Sequence, residues 1–348
     1  MLPRAAGVSV ATVSRVCNGS TLVKTATCRH VGEVASRLGY TPHGAARSLI
    51  TSRTSTLGVL LPDLYGEFFS EVIRGIDQTA QQHGYHLLVS SSHDGRPVLE
   101  AALRSMRGRV DGLIVMWPEM DTDIAVRNLP AGFPVVLLNA PAGADDFDVI
   151  MIANFDGARA MVCHLLDLGH TRIAIIKGAE GNVDAAERLR GYRAALAEAG
   201  VKASPELEVA GDFNEESGFR ATGELMCCEA RPSAIFAAND AMAIGALSAL
   251  RQSGLRVPDD VALAGFDDIP MARYLDPALS SVHVDISALG ERATLRLFAA
   301  MQEKGNHEYC SETLPTTLVL RRSCGAAVPA TRPSAPTTGP LTGTIPLP

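Results

Sequence analysis

From Leu57 onward the chain alternates short, unbroken apolar runs with longer stretches whose apolar positions recur every three or four residues. The runs LGVLLPD (57–63), YHLLVSSS (85–92), VDGLIVMW (110–117) and FPVVLLNA (133–140) have no polar face, as expected of strands covered on both sides. Helical spacing separates them near 66–83, 96–107 and 121–129. A second series repeats the texture: strands RIAIIKG (172–178), LEVAGDF (207–213), SAIFAAND (233–240) and VALAGFDD (261–268), with helices near 156–168, 185–199, 215–230 and 240–253. Alternation of this kind predicts parallel sheets wound in βαβ units. Two separate series fit two similar halves better than one large domain.

The first 53 residues have a different texture, with helical patterning and almost no strand signal. In AGVSVATVSRVCNG (6–19), Gly7 provides a turn and Ser9 an N-cap, so a helix is expected from about Val10 to Cys17, ended by Asn18-Gly19. Val13, Val16 and Cys17 share one narrow apolar face; Ala11, Ser14, Arg15 and Asn18 lie opposite. That exposed face suits a major groove, where an arginine bonds guanine bidentately and hydroxyls or amides hold phosphates. It suits an ordinary surface helix equally well. TATCRHVGEVASRLGY (25–40) then places Val31, Val34, Ala35 and Leu38 on one packing face. Beyond it, TPHGAARSLITSR leads into the first strand, with Leu49 as an isolated apolar residue that either docks on the body or wedges into a minor-groove base step. The end of the chain, from 323 to 348, is rich in Pro, Thr, Gly and Ala and is expected to be disordered.

Charge sharpens the division. The 348 residues carry a formal charge of −7, which argues against a wholly basic nucleic-acid binder. Residues 1–53, however, hold seven Lys and Arg against the single acid Glu33, a charge of +6 that leaves −13 on the rest. A small basic module on an acidic body points to a polyanionic partner.

Catalytic chemistry finds little support. There is no G-x-G-x-x-G after a first strand, no P-loop and no G-x-S-x-G elbow, and His83, His86, His93, His164 and His170 are scattered without an evident Ser or Cys nucleophile partner. No catalytic residue, metal site or cofactor is expected. The seven cysteines include no C-x-x-C pair, and the adjacent Cys227 and Cys228 suit neither a zinc clip nor a disulfide, so free thiols in a reducing cytoplasm are expected. No signal peptide and no membrane-spanning apolar run is visible. Polar residues gather instead where the predicted strands end, in PD, LN, AAND and GFDD, the place where open α/β sheets bind ligands.

Six separated motifs in order, AGVSVATVSRVCNG, LGYTPHGAARSL, LGHTRIAIIKG, RLRGYRAAL, AANDAMAIGAL and GFDDIP, resemble the LacI/GalR family of bacterial transcription regulators. The resemblance covers about residues 1–323. It implies an α/β chain in which a small all-α helix-turn-helix headpiece (1–42) precedes a hinge helix and linker (43–55) and a periplasmic-binding-protein-like effector domain (56–322). That domain comprises two doubly wound parallel-sheet subdomains, one of 56–153 plus 284–322 and one of 154–283. A homodimer reading a near-palindromic operator in double-stranded DNA, released or held by a small-molecule effector such as a sugar, is implied with it.

Carried over position by position, Val10, Ala11 and Arg15 match base-reading places, and Ser9, Thr12, Ser14 and Asn18 match phosphate contacts. Ala46 and Leu49 match the hinge. In the body, Arg188, Asn239 and Asp267 match polar effector ligands, Asn139 a weaker one, and Phe69 and Phe213 the aromatic walls. A sugar needs bidentate donors and acceptors for its hydroxyls and a flat apolar surface for its C–H face, which this set supplies. Asn239 and Asp267 have an alternative use, capping the helices that begin there.

The headpiece departs from the pattern. Only MLPRAA precedes the Gly-Val-Ser turn, so a shortened first helix is expected, without the surface on which Val13 and Val16 should pack. Two readings follow: a DNA-binding regulator, expected to be a repressor, or a sugar-binding protein of the same fold that has lost DNA binding.

Overall fold

The computed structural model describes residues 2–17, 22–39, 53–92, 96–116, 127–140, 146–303 and 307–326. Asn18, the hinge residues Ala46 and Leu49, most of the helix expected at 121–129, and residues 327–348 lie outside them. The tail expected to be disordered from 323 starts ordered instead: Ser323 and Cys324 are buried in a 3-10 turn (Arg322–Cys324), where Ser323 Oγ donates to the Leu263 carbonyl at 2.6 Å.

Three short helices open the chain: α1 (Leu2–Ala5), α2 (Val10–Cys17) and α3 (Thr25–Arg37). Leu2, Ala6, Val13, Val31 and Val34 form their own small core, with Val8, Val16 and Ala35 partly buried against it. This corrects the expectation of a missing packing surface. One turn of helix before Gly7 is enough, because Leu2 is fully buried and closes the bundle over Val13. Leu38, expected on the packing face, is instead 46% exposed, since the helix has already ended at Arg37. Lys24 precedes α3 without a side-chain cap, so that helix is held by its buried valines rather than by its start.

The body holds two six-stranded sheets. The first orders its strands as β11 (Ser311–Leu314), β5 (Asp148–Ile152), β4 (Val135–Leu138), β3 (Gly112–Met116), β1 (Thr56–Leu61) and β2 (His86–Ser91), all parallel. The second runs β12 (Thr317–Val319), β10 (Ser280–His283), β9 (Ala262–Asp267), β8 (Ala234–Ala237), β6 (Ile173–Ile176) and β7 (Glu208–Val209). Its pairs are parallel except the β10–β12 edge. The eight expected strands are all present. The run 207–213 yields only two strand residues, because Leu207 belongs to a 3-10 turn (Pro205–Leu207) and the chain bends after Val209 to present Phe213.

Helices cover the sheets: α4 (Glu67–Gln82), α5 (Arg96–Met106), α6 (Asn154–Asp167), α7 (Val183–Glu198), α8 (Glu215–Met226), α9 (Asp240–Gln252) and α10 (Ile286–Gln302). In the first lobe α4 and α10 pack face to face. A Cβ on Gly75 would collide with the Ser287 carbonyl, and one on Gly290 with that of Val72, so only glycine permits this approach. The chain passes between the lobes three times, near 153, near 284 and at Pro315-Thr316. The last passage falls inside the stretch 284–322 that the family resemblance implies for the first half as a whole. Thr317–Val319 pairs with Ser281–His283 of the second sheet, because the chain leaves β11 straight across the junction.

Candidate functional site

The exposed face of α2 is the first candidate. Ser9 is its N-cap in the structure: Ser9 Oγ accepts from the Thr12 amide at 3.1 Å and lies 2.9 Å from Thr12 Oγ1. Val13 points into the core, while Val10, 73% exposed, Ala11 and Arg15 point out, with Thr12 and Ser14 half-buried beside them. Arg4, Lys24, Arg29 and Arg37 are exposed on the same small bundle. None of these cations nor Arg15 has an ionic partner among the described residues. Unpaired cations around an outward helix face present a positive surface to a polyanion.

The second candidate lies where the two lobes meet, at the carboxyl ends of the strands. Arg188, on α7, is almost wholly buried, and its guanidinium is used on every side. Nε donates to Asn154 Oδ1 at 2.8 Å, Nη1 donates to the Ala238 carbonyl at 2.6 Å, and Nη2 lies 3.2 Å from Asp267 Oδ1. The plane stacks on Phe266, 3.7 Å from its centroid, with Phe213 at 5.8 Å.

Around it the backbone is held in conformations that non-glycine residues rarely adopt. Asn139, Phe213 and Asp267 have φ of 52°, 72° and 106°. Each ends a strand or follows one, and each belongs to the six expected effector residues. Such backbone strain concentrates where side chains must be aimed. The tip of the Phe213 ring stands against Gly178, where any Cβ would overlap it.

Asn239 does what the alternative reading supposed. Its Oδ1 caps α9 by accepting from the Met242 amide at 3.0 Å, and its Nδ2 donates to the Phe213 carbonyl at 2.9 Å. One amide hydrogen remains for a ligand. Asp267 caps no helix: its side chain turns to Arg188. Burial pushes its carboxyl up to about 7, against the downward pull of Arg188. Phe69 stands apart on α4, half-buried, its ring edge-on to Phe68 at 5.5 Å. Its neighbour Glu67 accepts from the Met271 amide at 2.9 Å, joining first lobe to second.

Sequence patterning passed over Asp184 and Asn154. Asp184 accepts from Asn139 Nδ2 at 2.9 Å and from Asn154 Nδ2 at 2.8 Å. Burial raises its carboxyl to about 6, while Arg188 and the two amides pull the other way. Its signal in the sequence was position alone: four residues before Arg188, on the same face of one helix. A cavity of about 820 Å³ adjoins this network, lined by Asn139, Asn154 and Asp184 on one side and by Met151, Phe155 and Tyr309 on another. Among the described residues there is no cluster of side chains able to hold a metal ion.

Known proteins share this organisation. Residues 3–43 match the family model described as bacterial regulatory proteins, lacI family, and residues 162–324 match the periplasmic binding protein-like domain. The HTH-type transcriptional repressor PurR of Pasteurella multocida is 33% identical over 322 residues, 91% of this chain and 96% of that repressor. The ribose operon repressor of Escherichia coli K12 is 36% identical over 294 residues, 83% of this chain and 88% of that protein. A crystal structure of the lac repressor dimer bound to operator and the anti-inducer ONPF superposes with a TM-score of 0.84 at 30% identity, covering 93% of this chain and 98% of the other. A regulator from Enterococcus faecium with bound ribose has a TM-score of 0.70 at 26% identity, covering 77% and 98%.

Proposed function

This chain belongs to the LacI family of bacterial regulatory proteins, and on that footing we propose that it is a sequence-specific DNA-binding repressor whose operator affinity is set by a small molecule bound between the lobes. The observation that carries the reading is the pairing of an outward, cation-flanked helix α2 with a strained, polar junction around Arg188 in one chain. A homodimer reads a near-palindromic operator, its two-fold symmetry mirrored in the DNA, and the neighbouring lac repressor is a dimer bound to operator. The effector is a sugar, a reading supported by the ribose bound in the E. faecium neighbour.

Within that reading, Val10, Ala11 and Arg15 contact bases, and Ser9, Thr12 and Ser14 contact phosphates, together with Asn18. Ala46 and Leu49 serve the hinge. Arg188, Asp267, Asn239 and Asn139 bind effector hydroxyls, and Phe213 and Phe69 cover its C–H faces. The domain division proposed is headpiece to residue 42, hinge and linker 43–55, and a two-lobed body to 322. No helix among the described residues is long and apolar enough to cross a membrane. The proposed place of work is the cytoplasm, beside the DNA, with regulation rather than turnover as the output.

The reading is tested by titrating the purified chain against the DNA flanking its own gene at low and moderate salt. Binding to one palindromic site that weakens steeply with salt supports it, because each neutralised phosphate releases counterions. A flat salt response or no binding at low salt overturns it.

A further inference from the structure

The junction between the lobes has more negative charge than its own residues neutralise. Asp184 and Asp267 both sit within reach of Arg188, which is engaged by Asp267, Asn154 and the Ala238 carbonyl. Asp184 is held by two neutral amides only. On the cavity wall beside it stand two further acids, Asp156 and Glu187, and one cation, Arg190. That cation is occupied: Arg190 Nε donates to Glu187 at 3.1 Å, and its guanidinium lies 4.2 Å from the Phe155 ring.

The unsatisfied hydrogen-bonding capacity has the same sign. Asn139 Oδ1 is buried, in a residue only 2% exposed, and has no hydrogen-bond partner among the described residues, whereas Asp267 Oδ1 already faces Arg188 Nη2 at 3.2 Å. The orphan is an acceptor. Buried acceptors without donors cost stability, so an occupant of this junction gains most by bringing N–H groups. Asn139 donates through Nδ2 to Asp184, which places its free Oδ1 on the same side chain as the tether to the surplus carboxylate.

Building on the reading of the junction as an effector site, we propose that the effector carries a protonated amine on a hydroxylated body, an amino sugar, with its ammonium against Asp184 and Asn139 Oδ1. An ammonium has three donors and one charge, which meets the orphan acceptor and the surplus carboxylate together. The Phe155–Tyr309 side of the cavity covers the ring. Phosphorylated sugars are excluded by the same charge balance.

The test uses the full chain and pairs of probes: glucosamine, galactosamine and mannosamine, each against its neutral parent sugar, with glucose 6-phosphate as the anionic control. Binding is read by calorimetry at pH 7.5 and pH 5.5, and operator release by DNA titration. A buried charge-assisted contact of ~1.5–3 kcal/mol predicts that at least one amino sugar binds about tenfold to a hundredfold tighter than its parent at pH 7.5. The ratio shrinks at pH 5.5, where Asp184 takes up a proton. In Asp184→Asn, or Asp184→Ser should the amide misfold, the ratio falls towards one. A neutral sugar that binds as tightly as its amine, or tighter, and releases the operator overturns the amine proposal and leaves the regulator reading standing. If neither class binds while DNA binding is intact, the amine proposal falls and so does the sugar effector, but not the repressor.

Discussion

Asn139 Nδ2 donates to Asp184 Oδ2 at 2.9 Å, and the bond runs from the end of a first-lobe strand to the first turn of a second-lobe helix. With the Met271 amide on Glu67, it is one of the polar contacts that hold the lobes together without a ligand. Any occupant of the junction must work with or against it, so the lobe angle and the ionisation of one carboxyl are linked.

That linkage has a sign. Asp184 and Asp267 have folded-state values of about 6 and about 7, above the ordinary carboxylate range. The folded chain therefore binds more protons than the unfolded chain between roughly pH 4 and 7. The stability this contributes is complete below about pH 4 and is lost as pH rises through 6 and then 7. The expected result is a urea midpoint that falls from pH 5 to pH 8 in the unliganded chain, with a shallower fall in Asp184→Asn. An equal slope in the variant would contradict it.

Removing the Arg188 guanidinium leaves Asp267 buried beside Asp184 without a cation. Breaking a buried pair by deleting one partner costs about 3–5 kcal/mol. Arg188→Ala should lower the unfolding free energy by that order, and Arg188→Ala with Asp267→Asn should recover a good part of it. Additive losses would show that the two side chains do not act as a pair.

Gly178 is where a strand end yields to the Phe213 ring. Gly178→Ala forces an overlap and should cost about 1–3 kcal/mol. Phe213→Ala in the same chain should remove most of that cost, which a double-mutant cycle in urea will read. Gly178→Ala without loss would mean that the ring is free to leave its wall.

Leu2 closes the headpiece core. Leu2→Ala deletes a buried side chain at a typical cost of about 2–5 kcal/mol, more than a bundle of this size can spare. Operator binding should collapse while the urea transition of the body is unchanged. Operator affinity within about twofold of the parent would mean that α2 is supported some other way.

The strands with both faces covered were legible because burial on both sides demands unbroken apolar runs, as in Leu57–Leu61 and Ala234–Ala237. Strand Ser280–His283 was not, and the reason is chemical. Ser280 and Ser281 are fully buried, but Ser281 Oγ donates to Asp240 Oδ1 at 2.6 Å and Ser280 Oγ donates to the Arg321 carbonyl at 3.0 Å. Partners forty residues away make a polar run into a core strand, and local patterning has no access to them. The same holds for Asn154 and Asp184, which local patterning passed over and which meet only where the fold brings them together. Arg188, Asn239 and Asp267 lay in recognisable motifs, yet only the structure separates the cap, Asn239, from the ion pair, Arg188 with Asp267. Leu2 was undervalued because a single helical turn has no periodicity to detect.

The last passage between the lobes bears on the order in which the protein can be made. Ser311–Leu314 completes one sheet and Thr317–Val319 the other, so both sheets receive an outer strand from the same nine residues near the end of the described chain. During synthesis the first lobe waits, its edge open beside Asp148–Ile152, until the whole second lobe has left the ribosome. A nascent chain halted before residue 311 would have two unfinished sheets and two tethers in place of three. Chaperone dependence and sensitivity to premature termination should therefore be concentrated in that short final stretch.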